Sequence, residues 1–376
     1  MVWGMDRKWN ILITLLKTTN VMKRLCIILI AAFAATAACF AQTQNSQTIE
    51  NGGTGPYKSI AVGDAGLPTH VIYRPADLKA YVDKNGPIPV VVYANGACVN
   101  YSLQMSRLLN EVASKGYVLI AIGPYEEYTD EAFYADWKNV VKGGIDTKPV
   151  VIMGNGERVL PWTPEELAAQ EAAREAAREA VLKDIKKASK KKVAPEPAPF
   201  RTYAKQMLEA LDWAAEQNAN PESEYYHMLN MDKVAAMGQS CGGAQALAIS
   251  YDPRIKTCVI LNSGMGEISM GGASKESLKS LHTPMLYLNG GVADIAYNNA
   301  NADYERIPDN IPVAKVSTLD GHHGTYYEKF GGRYAVTVGM WLDWQLKGDI
   351  SKSALFLNDE YESALFSDWK FERKNF

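Results

Sequence analysis

Apolar positions along this chain gather into short continuous runs, and the stretches between them carry helical spacing. "IPVVVYANG" (88–96), "GYVLIAIGP" (116–124), "KTCVILNSG" (256–264) and "TPMLYLNGG" (283–291) carry unbroken apolar runs, and the first is rich in β-branched residues. Such runs predict strands buried on both faces. "THVIYRP" (69–75), "DKVAAMG" (232–238) and "IPVAKVSTLDG" (311–321) predict further strands. Residues 102–115 place Leu103, Leu108, Leu109 and Val112 on one side of a helix, and 207–217, 242–250 and 334–346 also read as helices. Alternation of this kind predicts an α/β chain: a mostly parallel central sheet with helices on both faces.

Three stretches depart from the pattern. Residues 42–56 are polar and Gly-rich, and predict a disordered N-terminus of the mature chain. "VVIMGNGERVL" (150–160) predicts a hairpin turning at Asn155-Gly156. Residues 162–198 are low in complexity, dominated by Ala, Glu and Lys. Thr163, Pro164 and Glu166 form a helix-start signature there, and Glu171–Arg174 and Glu175–Arg178 are spaced as helical ion pairs. The segment's apolar residues are mostly Ala, so it has little to bury, and "PEPAP" ends it as a stiff linker. It reads either as a solvated arm or as a lid, because the insertion at about 148–198 leaves the sheet after the 117–123 strand.

The N-terminus adds a destination. Lys23 and Arg24 precede an apolar run from Leu25 to Ala38, small residues follow, and Ala41 is a cleavage position. This is the layout of a secretory signal peptide over about 22–41, too short to span a membrane, with residues 1–21 as an upstream extension. The expectation is a secreted or periplasmic protein, and no second long apolar stretch predicts a membrane span. Cys39 as a lipidated cysteine is the weaker alternative, because Thr36 stands where Leu is usual. The rest of the chain, 57–376, reads as one domain: 376 residues with 47% hydrophobic and 22% charged suit one large core. A net charge of −3 argues against a nucleic-acid partner. Of five cysteines, Cys26 and Cys39 go with the signal, leaving Cys98, Cys241 and Cys258 and at most one internal disulfide. No Cys or His spacing points to a metal.

"MGQSCGGAQAL" (237–247) carries the chemistry. It sets Ser240 between Gly238 and Gly242, after a predicted strand and before a predicted helix, the context that a nucleophile elbow requires. A Cβ at either glycine would crowd the turn. A plain turn with Ser as a helix cap is the bland reading. A serine hydroxyl needs an adjacent base. Among His70, His227, His282, His322 and His323, only the last two follow both the serine and a plausible acid. Either of them, His322 or His323, is a candidate base. Asp294 in "GGVADIAY" is the preferred acid, with Glu267 and Asp320 as rivals. The amide of Cys241 and one from "NGAC" (95–98), at Ala97, would form the oxyanion hole.

"GQSCGG", "GGVADIAY" and "GHHGTY", in this order, resemble the α/β-hydrolase superfamily over roughly 57–347. The tail "WLDWQLKGDISKSALF" is similar to that of secreted cutinase-like and polyester-hydrolase-like esterases, with chlorophyllase-like and dienelactone-hydrolase-like proteins as relatives. The spacing His322-His323-Gly324-Thr325-Tyr326 fits the His-x-Gly-Thr-Tyr loop of such proteins, a resemblance that implies His322 as the base, with His323 as the alternative. The resemblance implies a Ser-His-Asp serine hydrolase that cleaves small or polymeric carboxylic esters without a cofactor. Two departures concern the substrate: Cys241 stands where these elbows often have Met, and the charged insertion is extra. A peptidase or amidase of the same fold, and a catalytically silent binding protein, are the competing readings. If the amides of Ala97 and Cys241 reach one oxygen, their α-carbons lie within several ångströms. Cys98 and Cys241 are then near disulfide range, and Cys258 is left as a buried thiol.

Overall fold

Ten strands run side by side in the order β1-β2-β3-β5-β4-β8-β9-β10-β11-β12. They are β1 (Ser46–Gln47), β2 (Ser59–Gly63), β3 (His70–Pro75), β4 (Ile88–Ala94), β5 (Val118–Ile122), β8 (Leu229–Gln239), β9 (Ile255–Leu261), β10 (Met285–Asn289), β11 (Val313–Ser317) and β12 (Lys370–Lys374). The structure is a computed structural model, and it describes residues 45–133, 201–291, 294–318, 326–358, 364–366 and 369–376, with the backbone pairing of 151–152 and 158–159. Strands β5, β4, β8, β9, β10 and β11 pair in parallel. The edge strands β1, β2, β3 and β12 are antiparallel additions. The class is α/β, with a mixed, mostly parallel sheet.

Both faces of the parallel strands are covered, which is why their sequences do not alternate. Val90, Val92 and Ala94 of β4 face one core with Leu211, Trp213 and Leu247. Val91 and Tyr93 face the other core with Leu108, Val112 and Trp341. The first core is roofed by α3 (Ala204–Ala219) and α4 (Cys241–Ala248), the second by α2 (Ser106–Ser114) and α6 (Gly332–Lys347). Every residue of α2 is buried, because it lies between the sheet and α6. Burying a Leu or Val side chain there contributes about 1.5–3 kcal/mol. Helix α1 (Leu78–Asn85) links β3 to β4, α5 (Tyr297–Arg306) links β10 to β11, and the short α7 (Ala354–Leu357) follows α6. Among the described residues, no helix is long and apolar enough to cross a membrane.

Sequence order within the sheet reverses between β4 and β8. The chain goes from β4 outward to β5, then returns to lay β8 on the other side of β4. In open parallel sheets this switch point leaves a crevice beyond the C-terminal strand ends, where ligands bind. The loops at those ends begin at Asn95 and Ser240.

One expectation is corrected. Residues 45–56, read as part of a disordered N-terminus over 42–56, instead edge the sheet, and the compact unit begins at Asn45 rather than 57. Ile49 is only 1% exposed, and its carbonyl accepts a hydrogen bond from Asn110 Nδ2 at 2.8 Å. The Glu50 carboxylate lies 3.3 Å from the Arg107 guanidinium and accepts the Phe330 N–H at 2.6 Å. One apolar anchor and one buried ion pair outweigh the polar, Gly-rich composition. The hairpin reading matches strands β6 (Val151–Ile152) and β7 (Arg158–Val159), which pair antiparallel; the expected turn at Asn155-Gly156 lies outside the described residues. The signal peptide, Cys39 and the 162–198 segment lie outside the described residues.

Candidate active site

Ser240 joins β8 to α4 at a sharp turn. Its φ of 52° and ψ of −117° lie in a region that residues with a Cβ seldom adopt. The neighbours explain how the turn is held. A Cβ on Gly238 would sit 2.1 Å from the Gly242 carbonyl oxygen. One on Gly242 would sit 2.0 Å from the carbonyl oxygen of Ala94, at the end of β4. The two glycines therefore allow the elbow to close on itself and on the adjacent strand. The Ser240 N–H donates to Leu261 O at 2.8 Å, and the Ser263 hydroxyl donates to Ser240 O at 2.6 Å. Such strain persists only where its surroundings over-determine it, and it clusters at functional sites. Ser240 itself is half-buried, so its side chain retains access to solvent.

Across the switch point, the loop after β4 is equally constrained. Ala97 and Cys98 both have positive φ, 51° and 53°. Asn95 fixes the loop's base by donating from Nδ2 to Ile122 O at 2.6 Å and to Val99 O at 3.1 Å. Cys98 O accepts the Thr202 N–H at 2.8 Å, and Gln245 closes the same corner, its Nε2 donating to Thr202 O at 2.8 Å. Cys98 and Cys241 are joined by a disulfide, with their α-carbons 5.2 Å apart. Cys258 is free and buried, and burial pushes its thiol up to about 12, with the Thr283 hydrogen bond opposing. The amides of Ala97 and Cys241 thus lie on covalently tethered segments, and neither donates to another described residue. Ala97 is exposed at the rim. The Cys241 amide opens α4, where the first N–H groups of a helix have no internal acceptor.

Asp294 follows β10 and is 2% exposed. Oδ2 accepts from Asn262 Nδ2 at 2.7 Å and from Gly290 N at 2.9 Å, and Oδ1 accepts from Ala296 N at 2.8 Å. Burial pushes its carboxyl up to about 6, and the three donors pull the other way. The rival Glu267 is exposed and engaged with Lys275 at 2.6 Å and with Arg306, whose bonds hold its carboxyl low. It has no part in this arrangement.

Asp320, His322 and His323 lie outside the described residues. Their flanks are described: Thr318 N donates to Asn289 O at 2.9 Å beside β10, and Tyr326 is buried with its hydroxyl on Asn262 Oδ1. His70 is buried, its Nε2 at 3.1 Å from Gln206 O, and burial lowers it to about 4. His227 and His282 are exposed. None of these three hydrogen-bonds Ser240 or Asp294 among the described residues.

Sequence reasoning did not single out Asn262, Ser263, Tyr326 or Tyr334 as members of this network. "ILNSG" reads as a strand end, and no local signal says that Asn262 faces a carboxylate from the next strand. A scan against protein-family models and a search of the curated proteins each return no match.

Proposed function

We propose that this chain is an exported serine hydrolase of carboxylic esters, built on an α/β-hydrolase fold. The observation that carries the reading is the backbone of Ser240: a positive φ on a non-glycine residue, at a strand-to-helix turn, beside the topological switch point. In this reading His322 takes the Ser240 proton as the hydroxyl attacks the ester carbonyl. The amides of Ala97 and Cys241 receive the developing oxyanion, each contributing on the order of 3 kcal/mol to the transition state. His322 then returns the proton to the leaving alcohol. The acyl group stays on Ser240 until water, activated by the same imidazole, releases it. Asp294 keeps the imidazole in one tautomer and stabilises its cation. The reaction needs no cofactor. Its substrates are small or polymeric esters rather than nucleic acid.

The test is labelling with a fluorophosphonate probe together with turnover of aryl esters. Wild type should be labelled at Ser240, and Ser240→Ala should lose both labelling and turnover, on the order of 10⁶-fold in the latter. His322→Ala should follow it and His323→Ala should retain activity; the opposite pattern reverses the choice of base. Turnover of anilides but not of esters would move the chain to the amidase reading. A folded protein that neither labels nor turns over would leave the silent binding scaffold.

A further inference from the structure

Asn262 ends β9 in a conformation that needs explaining. It is 2% exposed and has a φ of 44°, in the left-handed region where Asn is among the few tolerated side-chain-bearing residues. Its N–H donates to Leu288 O at 2.8 Å, which holds the bend against β10. The bend turns the carboxamide toward three groups at once. Nδ2 donates to Asp294 Oδ2 at 2.7 Å and reaches the Tyr334 hydroxyl at 3.3 Å. Oδ1 accepts the Tyr326 hydroxyl. Flipping the amide would set Oδ1 against a carboxylate and leave the phenol facing an N–H, so the network permits only this orientation.

Among the described residues Asp294 has three donors: two are backbone amides fixed by its own turn, and the third is the side chain of Asn262. Among the described residues no lysine or arginine offsets the buried charge, and hydrogen bonds oppose the desolvation. The titratable groups facing this cluster among the described residues are the phenols of Tyr326 and Tyr334, with Tyr93 beyond Tyr326. All three are buried. His322 and His323 stand a few positions before Tyr326 in the sequence.

We propose that Asn262 is a positioning residue: its carboxamide fixes the rotamer of Asp294, keeps that carboxyl ionised under working conditions, and ties it to Tyr326 at the end of the histidine segment. This rests on the reading of Asp294 as the triad acid. A protonated Asp294 would no longer stabilise an imidazolium, so the donor acts on turnover through Asp294 and not through substrate.

The experiment is the pH dependence of kcat and kcat/KM on a p-nitrophenyl ester for wild type, Asn262→Gly, Asn262→Asp and Tyr326→Phe, each checked for folding by near-UV circular dichroism. Asn262→Gly suits the backbone and removes the donor. Its acid limb should move up by about one pH unit, the equivalent of one hydrogen bond to a charged group, with kcat reduced and KM unchanged. Asn262→Asp sets a second carboxyl against the first and should move the limb at least as far. Tyr326→Phe frees the carboxamide to rotate and should move it in the same direction by less. A folded Asn262→Gly with an unmoved limb overturns the proposal. If neither Asn262 variant folds, an unmoved limb in Tyr326→Phe overturns it. Hydrolysis that survives Ser240→Ala or Asp294→Ala, or its absence in wild type, overturns the hydrolase reading as well. Activity that depends on Ser240 and Asp294 but has an immobile limb removes only the role of Asn262.

Discussion

Replacing Asp294 by Asn should make the protein more stable at neutral pH, and that advantage should disappear in acid. The magnitude follows from the burial of the carboxyl. Its ordinary value of 3.8 is raised to about 6 in the fold. A group raised in this way binds its proton more tightly folded than unfolded. Its contribution to stability is therefore complete below pH 3.8 and is lost as pH rises through about 6. The difference of roughly two pH units corresponds to about 3 kcal/mol of instability at pH 7, at 1.36 kcal/mol per unit. Asparagine has no charge to desolvate, so it escapes this loss. It does bring an amide N–H against one of the donors from Gly290, Ala296 or Asn262, and that offsets part of the gain by a constant amount at every pH. The quantity to measure is the difference between variant and wild type in guanidinium unfolding, taken at a series of pH values. Other carboxylates titrate in both proteins and cancel. The difference should grow by about 3 kcal/mol between strongly acidic and neutral pH, with most of the change near pH 4 to 6. A difference that stays flat across that interval would refute the argument that Asp294 is a burial-strained carboxylate.

Two further outcomes are expected. Replacing both Cys98 and Cys241 by Ala opens a loop with a separation of 143 residues, which on the chain-entropy account lowers stability by about 5 kcal/mol at most; equal denaturation midpoints for this variant and the oxidised wild type would contradict it. Gly242→Ala places a methyl group 2.0 Å from Ala94 O and 2.7 Å from Asn95 N, both backbone, and should lower stability by about 3 kcal/mol or more; Gly348→Ala, with open space around it, should lose only about 1–2 kcal/mol to its left-handed backbone, and similar thermal shifts for the two would show that the elbow is looser than described.

The parallel strands were legible because burial on both faces leaves an unbroken apolar run, as in "PVVVY" of β4. The elbow was legible because its physical demand for glycine falls within a few adjacent positions. Strand β12 was not, since "KFERK" carries the charges that an edge strand can keep in solvent, and only its pairing with β11 defines it. Helix α1 and strand β2 are short and amphipathic, and their order comes from the neighbours they pack on. Asn262 was invisible for a different reason: its meaning depends on residues from β9, the turn after β10 and the start of α6 meeting at one point. Local pattern reports what a residue does to its own element, and seldom what it does to another.

The bond between Cys98 and Cys241 also makes part of this chain a covalent ring. The ring encloses α2, β5, the β6–β7 strand pair, the Lys-rich stretch around 186–192, α3 and β8, while β1 to β4 and everything after α4 begins hang from it as tails. A protease that cuts once within the ring severs the peptide without severing the molecule. Both halves of the switch-point crevice stay bound to each other through sulfur, Ala97 on one side and Ser240 on the other. One backbone break between β5 and β8 therefore leaves a single covalent species for as long as the disulfide stays oxidised.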